Sequence, residues 1–521
     1  MTRHATALVI GAGLGGIAAA ARLARNGYDV TVVEKNSQPG GRCDQLLRDG
    51  HRFDVGPTLF LMPEVFAETY AALGEHMEDH LDLQRIDPTY RVRFSDGAEL
   101  TLTANLHEMQ TQLEAIEPGS FGGLLRYLAE GHRHYRMSLK HFVGRNFYSL
   151  GEYFSPRNLP LLFQLKALKK HYANVGNYFS DKQLKAAFTF QNMYLGLSPY
   201  DAPATYSLLQ YTELADGVWF PMGGLYRVVE TLTAIAEQHG VRFIYDAPVR
   251  TIETEGERAT SLLLDDGRRL SADVIVANAD LPYVYKHLLD DREGTEKLER
   301  KKYTCSAITF YWGVDRAYPQ LYPHNVFLSD EYRASFERIF DDYDLPDDPS
   351  FYVHAPARVD PTAAPEEQDT LMALVPVGHL QEGVEQDWEA LKRRARQAVF
   401  EGLRTVGVED LEQHIKFEVA YTPQDWRHRY NLAKGAAFGL SHNFTQVGYL
   451  RPQNRHATYR NLYFVGASTH PGTGLPIVLL SARLTVERVL HDAGVPQVAA
   501  PFQPSSAPDS VPSLAVKLHK Q

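Results

Sequence analysis

Six consecutive residues near the start of the chain could hold the pyrophosphate of a dinucleotide: Gly11, Ala12, Gly13, Leu14, Gly15 and Gly16. In this spacing Gly11 allows a tight turn, Gly13 lets the backbone approach a pyrophosphate closely, and Gly16 lets a helix pack against a sheet. The free N–H groups at the start of such a helix favour bound phosphate. The spacing therefore predicts a dinucleotide-binding turn.

A carboxylate follows the glycines at the distance that a ribose-binding acid requires. Glu34 stands about 20 residues further on, where it could accept hydrogen bonds from a ribose 2′-OH and repel a 2′-phosphate. The surrounding pattern predicts a buried strand over Thr6–Ile10, a helix over 16–26 and a second strand over 28–34. The alternatives are a glycine-rich turn that binds no ligand and a solvated surface charge at Glu34.

The residues that follow the ribose-binding acid favour FAD over NAD as the dinucleotide. Glu34 and Lys35 lead into Pro39-Gly40-Gly41-Arg42, in which the glycine pair lets the backbone fold back over the nucleotide. Arg42 could then donate charge-assisted hydrogen bonds on the phosphate side, whereas an isolated arginine would be solvated. This stretch resembles the extended FAD fingerprint of the flavin amine oxidase and carotenoid desaturase superfamily.

A second glycine-rich turn lies near the other end of the chain. Residues 461–476 read as a strand, a turn that begins at Gly466, and a helix that starts at Gly474, Leu475 and Pro476. Such a turn can aim helix N–H groups at the flavin pyrimidine oxygen, which gains negative charge on reduction. A plain strand–helix loop is the alternative.

Composition limits the class of protein. The 521 residues carry a net charge of -11, which argues against general nucleic-acid binding. Two widely spaced cysteines form neither a disulfide framework nor a zinc site, and no metal site is predicted. No stretch reaches the length of a membrane span. The chain is therefore expected in the cytoplasm, with peripheral attachment to a membrane.

Longer segments resemble the phytoene desaturases of bacteria and fungi, a carotenoid desaturase family. These segments extend over nearly the whole chain to about residue 490, and the middle ones are more specific than the glycine motif. The segments are VIGAGLGGIAAAARLARNGYDVTVVEKNSQPGGRC, FTFQNMYLGLSPYDAPATYSLLQYTELADGVWFPMGGLYRVVE, ADVIVANAD, SFYVHAPARVDPTAAP, LVPVGHL and NLYFVGASTHPGTGLPIVLLSARL.

The resemblance implies one non-covalent FAD and stepwise insertion of double bonds into a C40 polyene. By position, the residues that match the family's FAD site are Gly11, Gly13, Gly16, Glu34, Arg42, Gly466, Gly474, Leu475 and Pro476. Val249 matches the position whose backbone holds the adenine. Where related flavoproteins often carry an acid after the glycine, this chain has Ala467, so no side-chain contact to the ribityl group is assigned.

The expected fold is α/β, with a Rossmann-like FAD-binding domain of the glutathione-reductase type that is discontinuous in sequence. A mixed-sheet substrate domain and a helical, membrane-associating domain complete it. The predicted bounds are 1–80, 215–292 and 425–492 for the FAD domain, 81–110 and 293–424 for the substrate domain, 111–214 for the helical domain, and 493–521 for a disordered tail.

Desaturation next to a polyene removes a hydride and a proton, and FAD itself is the expected catalyst. The allylic cation is delocalised, so a strong fixed base is less necessary, and a long apolar tunnel is predicted. Residues 188–194 could form its wall or ordinary helical core. Asp201, Glu213 and His470 are candidates for the proton acceptor; the alternative is a structural role, since a capping Asp or a satisfied His is the commoner case. The expected electron acceptor is a quinone or O2.

The segment 133–170 suits an anionic membrane surface. It holds eight Lys or Arg residues against one acid, Glu152, interleaved with aromatic and aliphatic residues. The alternative is a solvated helical face. Such a surface would admit an insoluble polyene such as phytoene.

Several functions stay open on these patterns. The favoured one is a phytoene desaturase that gives lycopene or 3,4-didehydrolycopene. The alternatives are a desaturase of a modified carotenoid or of a C30 substrate, a carotenoid isomerase, a flavin amine oxidase, and a non-enzymatic prenyl-binding protein. The oligomeric state is not predicted.

Overall fold

The structure is a computed structural model that describes residues 5–495. Most of the tail that is predicted to be disordered, from residue 496 onward, lies outside the described residues.

The strands are numbered in chain order. They are β1 (Thr6–Ile10), β2 (Asp29–Val33), β3 (Asp44–Arg48), β4 (His51–Val55), β5 (Leu83–Ile86), β6 (Tyr90–Phe94), β7 (Glu99–Leu102), β8 (Val218–Pro221), β9 (Arg242–Ile244), β10 (Val249–Glu255), β11 (Arg258–Leu264), β12 (Arg269–Ser271), β13 (Val274–Ala277), β14 (Ser306–Val314), β15 (His324–Leu328), β16 (Phe351–His354), β17 (Asp369–Val377), β18 (Ile415–Tyr421) and β19 (Leu462–Phe464).

The α-helices are numbered in the same way. They are α1 (Leu14–Arg25), α2 (Pro63–Leu73), α3 (Leu106–Ile116), α4 (Ser120–Ser138), α5 (Leu150–Tyr153), α6 (Leu159–Gln164), α7 (His171–Val175), α8 (Lys182–Ala187), α9 (Leu208–Tyr211), α10 (Tyr226–Gln238), α11 (Leu281–Tyr283), α12 (Arg292–Glu299), α13 (Tyr332–Phe340), α14 (Trp388–Arg404), α15 (Leu411–His414), α16 (Pro423–Tyr430) and α17 (Leu475–Asp492).

A five-stranded parallel sheet contains the N-terminal unit. Its strand order is β19-β13-β1-β2-β9, and every neighbouring pair is parallel. Strands β1 and β2 are apolar and almost fully buried, as expected for a sheet covered on both faces. Helices α1, α10 and α17 share one hydrophobic core on this sheet. The predicted strand–helix–strand unit is confirmed, with α1 starting two residues earlier than predicted.

A seven-stranded mixed sheet forms the second layer. Its order is β18-β14-β17-β16-β15-β6-β7, in which β15 and β6 are the parallel pair. Strands β14 and β17 pack their buried residues against α14. Together with the parallel sheet, this confirms an α/β fold with mixed sheets.

One strand prediction is wrong in its bounds. The run 241–253 reads as a single strand, but the structure divides it between β9 of the parallel sheet and β10 of a three-stranded sheet. Asp246 adopts a left-handed conformation with φ 51°, and Pro248 lacks an N–H group, so the ladder cannot continue through them. The pattern of β-branched and apolar residues along the run did not show that the strand is divided at this point.

Helices and short turns dominate the region from α3 to α9. One π-helical turn, Leu139–Val143, lies within it, and a second, Thr212–Asp216, directly follows α9. The predicted domain bounds and the membrane association of this region stay predictions.

Within residues 5–495, none of the helices has both the length and the apolar character that crossing a membrane requires.

Candidate active site

The glycine turn of residues 11–16 is held by close backbone contacts at the carboxyl end of β1. Gly11 has φ 92°, and its N–H donates to the Val33 carbonyl at 2.8 Å. A Cβ on Gly16 would lie 2.1 Å from the Gly11 carbonyl oxygen, so any side chain there would displace the turn. Gly11 and Gly16 are therefore required by the backbone itself.

Glu34 lies against this turn at the end of β2. Its Oε2 accepts a hydrogen bond from the Ala12 N–H at 2.7 Å, and its Oε1 accepts one from the Asn36 N–H at 2.9 Å. Burial raises the pKa of this carboxyl group, and the two N–H donors lower it. The structure thus places a hydrogen-bonded carboxylate beside the turn.

The glycine pair after β2 folds back onto the turn. The Gly40 N–H donates to the Ala12 carbonyl at 2.8 Å, and a Cβ on Gly41 would lie 3.1 Å from Gly13 Cα. Arg42 then reaches the Ala437 carbonyl with Nη1 at 2.9 Å. Burial lowers the pKa of Arg42, while Asp280 opposes that shift.

The second glycine turn meets the first. A Cβ on Gly15 would lie 2.7 Å from Cγ1 of Val478, so the starts of α1 and α17 are in contact. Gly466 has φ 121° and Gly474 has φ 106°, which are conformations that favour glycine. A small pocket at this edge of the sheet is lined by both Arg42 and Gly466. The structure thus brings the two predicted halves of the site together.

One buried arginine, which sequence reasoning missed, fixes the second turn. Arg451 is 1% exposed. Its guanidinium donates to five backbone carbonyl groups, those of Leu440, Ser441, Gln446, Ala467 and Thr469. Burial lowers its pKa to about 10, so it stays charged at neutral pH. The arginine ties the turn after β19 to the segment 440–446.

Three further residues of the site were missed by sequence reasoning. Asn278 follows β13, and its Nδ2 donates to the Gly11 carbonyl at 3.3 Å. Asp280 accepts hydrogen bonds from the Ser468 hydroxyl at 2.5 Å and the Ala433 N–H at 3.0 Å. The signal that could have found them is the rule that residues after neighbouring parallel strands meet at one edge.

His442 is the third missed residue. Its Nε2 accepts from the Thr473 N–H at 3.0 Å, and burial holds its pKa well below the usual range. The neutral ring therefore carries its proton on Nδ1, which is buried and has no hydrogen-bond partner among the described residues. A buried unpaired donor at this turn fits a bound polar group.

Two predicted cofactor residues, Lys35 and Val249, do not line the pocket. Lys35 donates to the His428 carbonyl and to Asn431 Oδ1, both at 3.1 Å, which ties it to the end of α16. Val249 starts β10, two residues after Ala247, whose N–H donates to the Glu34 carbonyl at 2.9 Å. Val249 therefore lies beside the predicted ribose acid.

The three candidate proton acceptors lie in different surroundings. Asp201 is exposed and forms an ion pair with Lys170 at 3.0 Å. His470 donates from Nε2 to the Arg145 carbonyl at 3.0 Å, and burial lowers its pKa to about 4. Glu213 is 1% exposed, and burial raises its pKa to about 8. The roles of all three stay predictions.

The site geometry fits a dinucleotide cofactor. Gly13 has little room for a side chain, since a Cβ there would lie 2.8 Å from Asn278 Nδ2. Two helix N-termini, the Glu34 carboxylate and Arg42 surround one edge of the parallel sheet. No group of three His, Cys, Asp or Glu residues suited to a metal ion occurs within 5–495.

Comparisons with known proteins define the class. The model of the flavin-containing amine oxidoreductase family matches residues 14–490. A putrescine oxidase with bound putrescine has the same fold, with a TM-score of 0.63 over 94% of this chain and 99% of that one, at 15% identity. The chain belongs to the flavin-containing amine oxidoreductase family, and its cofactor is FAD.

Relatives in sequence place it on a particular branch of that family. A zeta-carotene-forming phytoene desaturase of Myxococcus xanthus is 49% identical over 95% of this chain and 96% of its own length. A phytoene desaturase of Phycomyces blakesleeanus is 44% identical over 94% of this chain and 85% of its own length. The resemblance to the bacterial and fungal phytoene desaturases is confirmed.

We expect Arg451→Met to destabilise the protein by about 3 kcal/mol or more, because five buried carbonyl groups each lose a donor and, among the described residues, only that of Ser441 keeps another, the Gln446 side chain. Arg316→Met is the matched control, since its exposed ion pair with Asp410 contributes at most about 1 kcal/mol. Thermal and denaturant unfolding of the holoenzyme measure both. Equal stability of the two variants would contradict the role of Arg451.

Proposed function

We propose that this protein is an FAD-dependent desaturase that inserts double bonds stepwise into phytoene, in carotenoid biosynthesis. The observation that carries the proposal is the 49% identity, over 95% of the chain, to a phytoene desaturase. The FAD-type geometry of the site supports it. In this proposal the parallel sheet is the Rossmann-like core of a discontinuous FAD domain.

Within this proposal, specific residues hold the cofactor. The turn of residues 11–16 and the start of α1 bind the pyrophosphate through backbone N–H groups. Glu34 binds the adenosine ribose, and Arg42 donates on the phosphate side. The segment around Val249 would hold the adenine, and Gly466 with the start of α17 would hold the flavin.

FAD, when bound, supplies the hydride acceptor of the reaction. The chain's own task is to align an apolar substrate with the ring and to exclude water. Phe190 and Tyr194 face Tyr90 in an aromatic cluster at the junction of the helical region and the mixed sheet. Phe188 stacks on Phe179 with ring centroids 4.6 Å apart and serves as core. Only the later part of 188–194 is therefore proposed as tunnel wall.

Part of the helical region offers a surface for a membrane. Five of the ten large apolar side chains that are exposed among the described residues lie within 148–168: Tyr148, Leu150, Leu159, Phe163 and Leu168. Exposed Arg157 lies in the same segment, and exposed Lys140, which acts on His141 together with Arg157, lies just before it. Clustered apolar groups with basic neighbours suit an anionic lipid surface. We propose that this 148–168 patch docks the protein on a membrane, from which phytoene enters.

The ion pairs of the structure modify the predicted charge of 133–170. Lys166 pairs with Glu130, and Lys170 pairs with Asp201; both acids lie outside the segment. Arg145 pairs with Glu152. The apolar side chains are therefore better targets for a membrane test than these cations.

We expect Glu34→Gln to weaken FAD binding by about tenfold or more, because the uncharged amide cannot accept from two N–H groups and from the ribose as the carboxylate does. The FAD content of each variant is measured as the ratio of flavin absorbance to protein absorbance after gel filtration. Glu237→Gln, on the exposed face of α10, is the control and should keep its FAD. Full FAD occupancy in both variants would contradict the assignment of Glu34.

The activity is tested by expressing the chain in cells that accumulate phytoene. We expect chromatography to show more desaturated carotenes, with lycopene or 3,4-didehydrolycopene as the predicted end product. The name of the bacterial relative makes ζ-carotene the product to distinguish from these. Because each desaturation removes two hydrogen atoms, product mass also separates this activity from isomerisation. Unchanged phytoene would contradict the proposal.

The membrane proposal predicts that the double variant Phe163→Ser, Leu168→Ser sediments with anionic liposomes at least about tenfold less than the unaltered protein, since each side chain loses a favourable transfer into lipid. The control is Leu47→Ser, Val384→Ser, which removes two apolar side chains of similar exposure elsewhere. An equal loss of liposome binding in both double variants, or no loss in either, would contradict the proposal that the 148–168 patch docks on a membrane.

A further inference from the structure

A cluster of buried polar side chains lies inside the apolar junction between the helical region and the mixed sheet. Its centre is Glu213, in the π-helical turn Thr212–Asp216, and the side chain is 1% exposed. Around it the apolar packing includes Phe190 and Leu214. A carboxyl group in such surroundings is costly to bury unless its polar atoms find partners.

The polar atoms of this cluster are poorly satisfied. Glu213 Oε1 accepts from the Tyr90 hydroxyl at 3.3 Å, but Oε2 is buried without a hydrogen-bond partner among the described residues. Three further atoms are also buried without a hydrogen-bond partner among the described residues: the Tyr194 hydroxyl, Gln191 Oε1 and His324 Nε2. Unpaired buried polar atoms are rare in folded proteins, and a catalytic role is one of the explanations for them.

The cluster connects to the FAD pocket through a chain of contacts. A Cβ on Gly56 would lie 2.1 Å from the carbonyl oxygen of Arg42, which lines that pocket. Two residues on, the Thr58 hydroxyl lies 2.9 Å from the Tyr352 hydroxyl, which in turn lies 2.6 Å from His324 Nδ1. His324 then faces Tyr90, with ring centroids 5.6 Å apart.

The groups that act on Glu213 are neutral. Burial raises its pKa, and the nearby polar side chains of Gln191, Tyr90 and Tyr194 lower it. Across the cluster, burial holds the pKa of His324 well below its usual range, so that ring is neutral as well. A carboxylate that no cation stabilises is a better base than an ordinary surface glutamate.

We propose that Glu213 is the proton acceptor of the desaturation, which rests on the proposed function. As one carbon of the substrate gives up hydrogen with its bonding pair to FAD, the neighbouring carbon loses a proton to Glu213. The electron pair of that second C–H bond forms the new C=C bond. FAD is reduced by two electrons, Glu213 becomes the carboxylic acid, and its proton later leaves to water.

The reactive form in this proposal is the carboxylate, which fixes the sign of the pH dependence. With a pKa of about 8, the carboxylate fraction grows as pH rises through that value. The rate of anaerobic FAD reduction by phytoene should therefore rise with pH and level off above it. Tyr90→Phe removes a donor that lowers this pKa, so the midpoint should move to higher pH.

The experiment compares the holoenzyme with Glu213→Gln, Glu213→Asp and Tyr90→Phe. We expect Glu213→Gln to slow FAD reduction by about 100-fold and to abolish its pH dependence, while Glu213→Asp keeps part of the rate. FAD content and thermal unfolding of each variant are measured alongside.

Infrared difference spectra between about pH 6 and about pH 10 give a readout that does not depend on activity. They should show a protonated carboxyl band that titrates near 8, is missing in Glu213→Gln, and titrates at higher pH in Tyr90→Phe. If Glu213→Gln fails to hold FAD, the proposal is tested instead by the infrared titration of the unaltered protein and by the shift of its midpoint in Tyr90→Phe.

Retention of the rate within about threefold in Glu213→Gln, or an unshifted midpoint in Tyr90→Phe, would overturn the assignment of Glu213 alone. An unaltered holoenzyme that reduces no FAD with phytoene at any pH would instead remove the proposed function. The two failures are therefore distinguishable.

Discussion

The guanidinium of Arg451 holds together the part of the molecule on which the site depends. It lies in a region without regular secondary structure and satisfies five carbonyl groups that have no ladder partners. Two of these belong to the turn after β19, and the others to the segment 440–446 against which that turn packs. Because the turn is fixed, α17 starts where its first residues meet α1 through Val478 and Gly15. The pocket between Arg42 and Gly466 exists only while this arrangement stands.

The sequence allowed good predictions where the physical rule is local. The glycine turn, Glu34, Arg42 and the turn at Gly466 follow from backbone conformations and short spacings, and the structure brings them to one edge of the sheet. Arg451 and His442 could not be found in this way, since their partners are distant in the chain and their segment has no periodicity. The ion pairs of Lys166 and Lys170 were missed because Glu130 and Asp201 lie outside the charged segment.

The same fold supports different chemistry in its relatives. A putrescine oxidase shares it at 15% identity, so the fold by itself does not select an amine or a carotene. The choice between an amine and a carotene as substrate must therefore come from the side chains around the bound substrate. In this chain the junction of the helical region and the mixed sheet is an aromatic and aliphatic cluster, and the side chains that act on its buried Glu213 are neutral. A junction with such apolar side chains suits a hydrocarbon better than a charged amine.

The most direct test of the central claim is anaerobic mixing of the FAD-loaded protein with phytoene in lipid vesicles. We expect the absorbance of oxidised flavin to bleach, and each reduced flavin to match the loss of two hydrogen atoms from the carotene. Putrescine under the same conditions should leave the flavin oxidised. Bleaching by putrescine but not by phytoene would contradict the account.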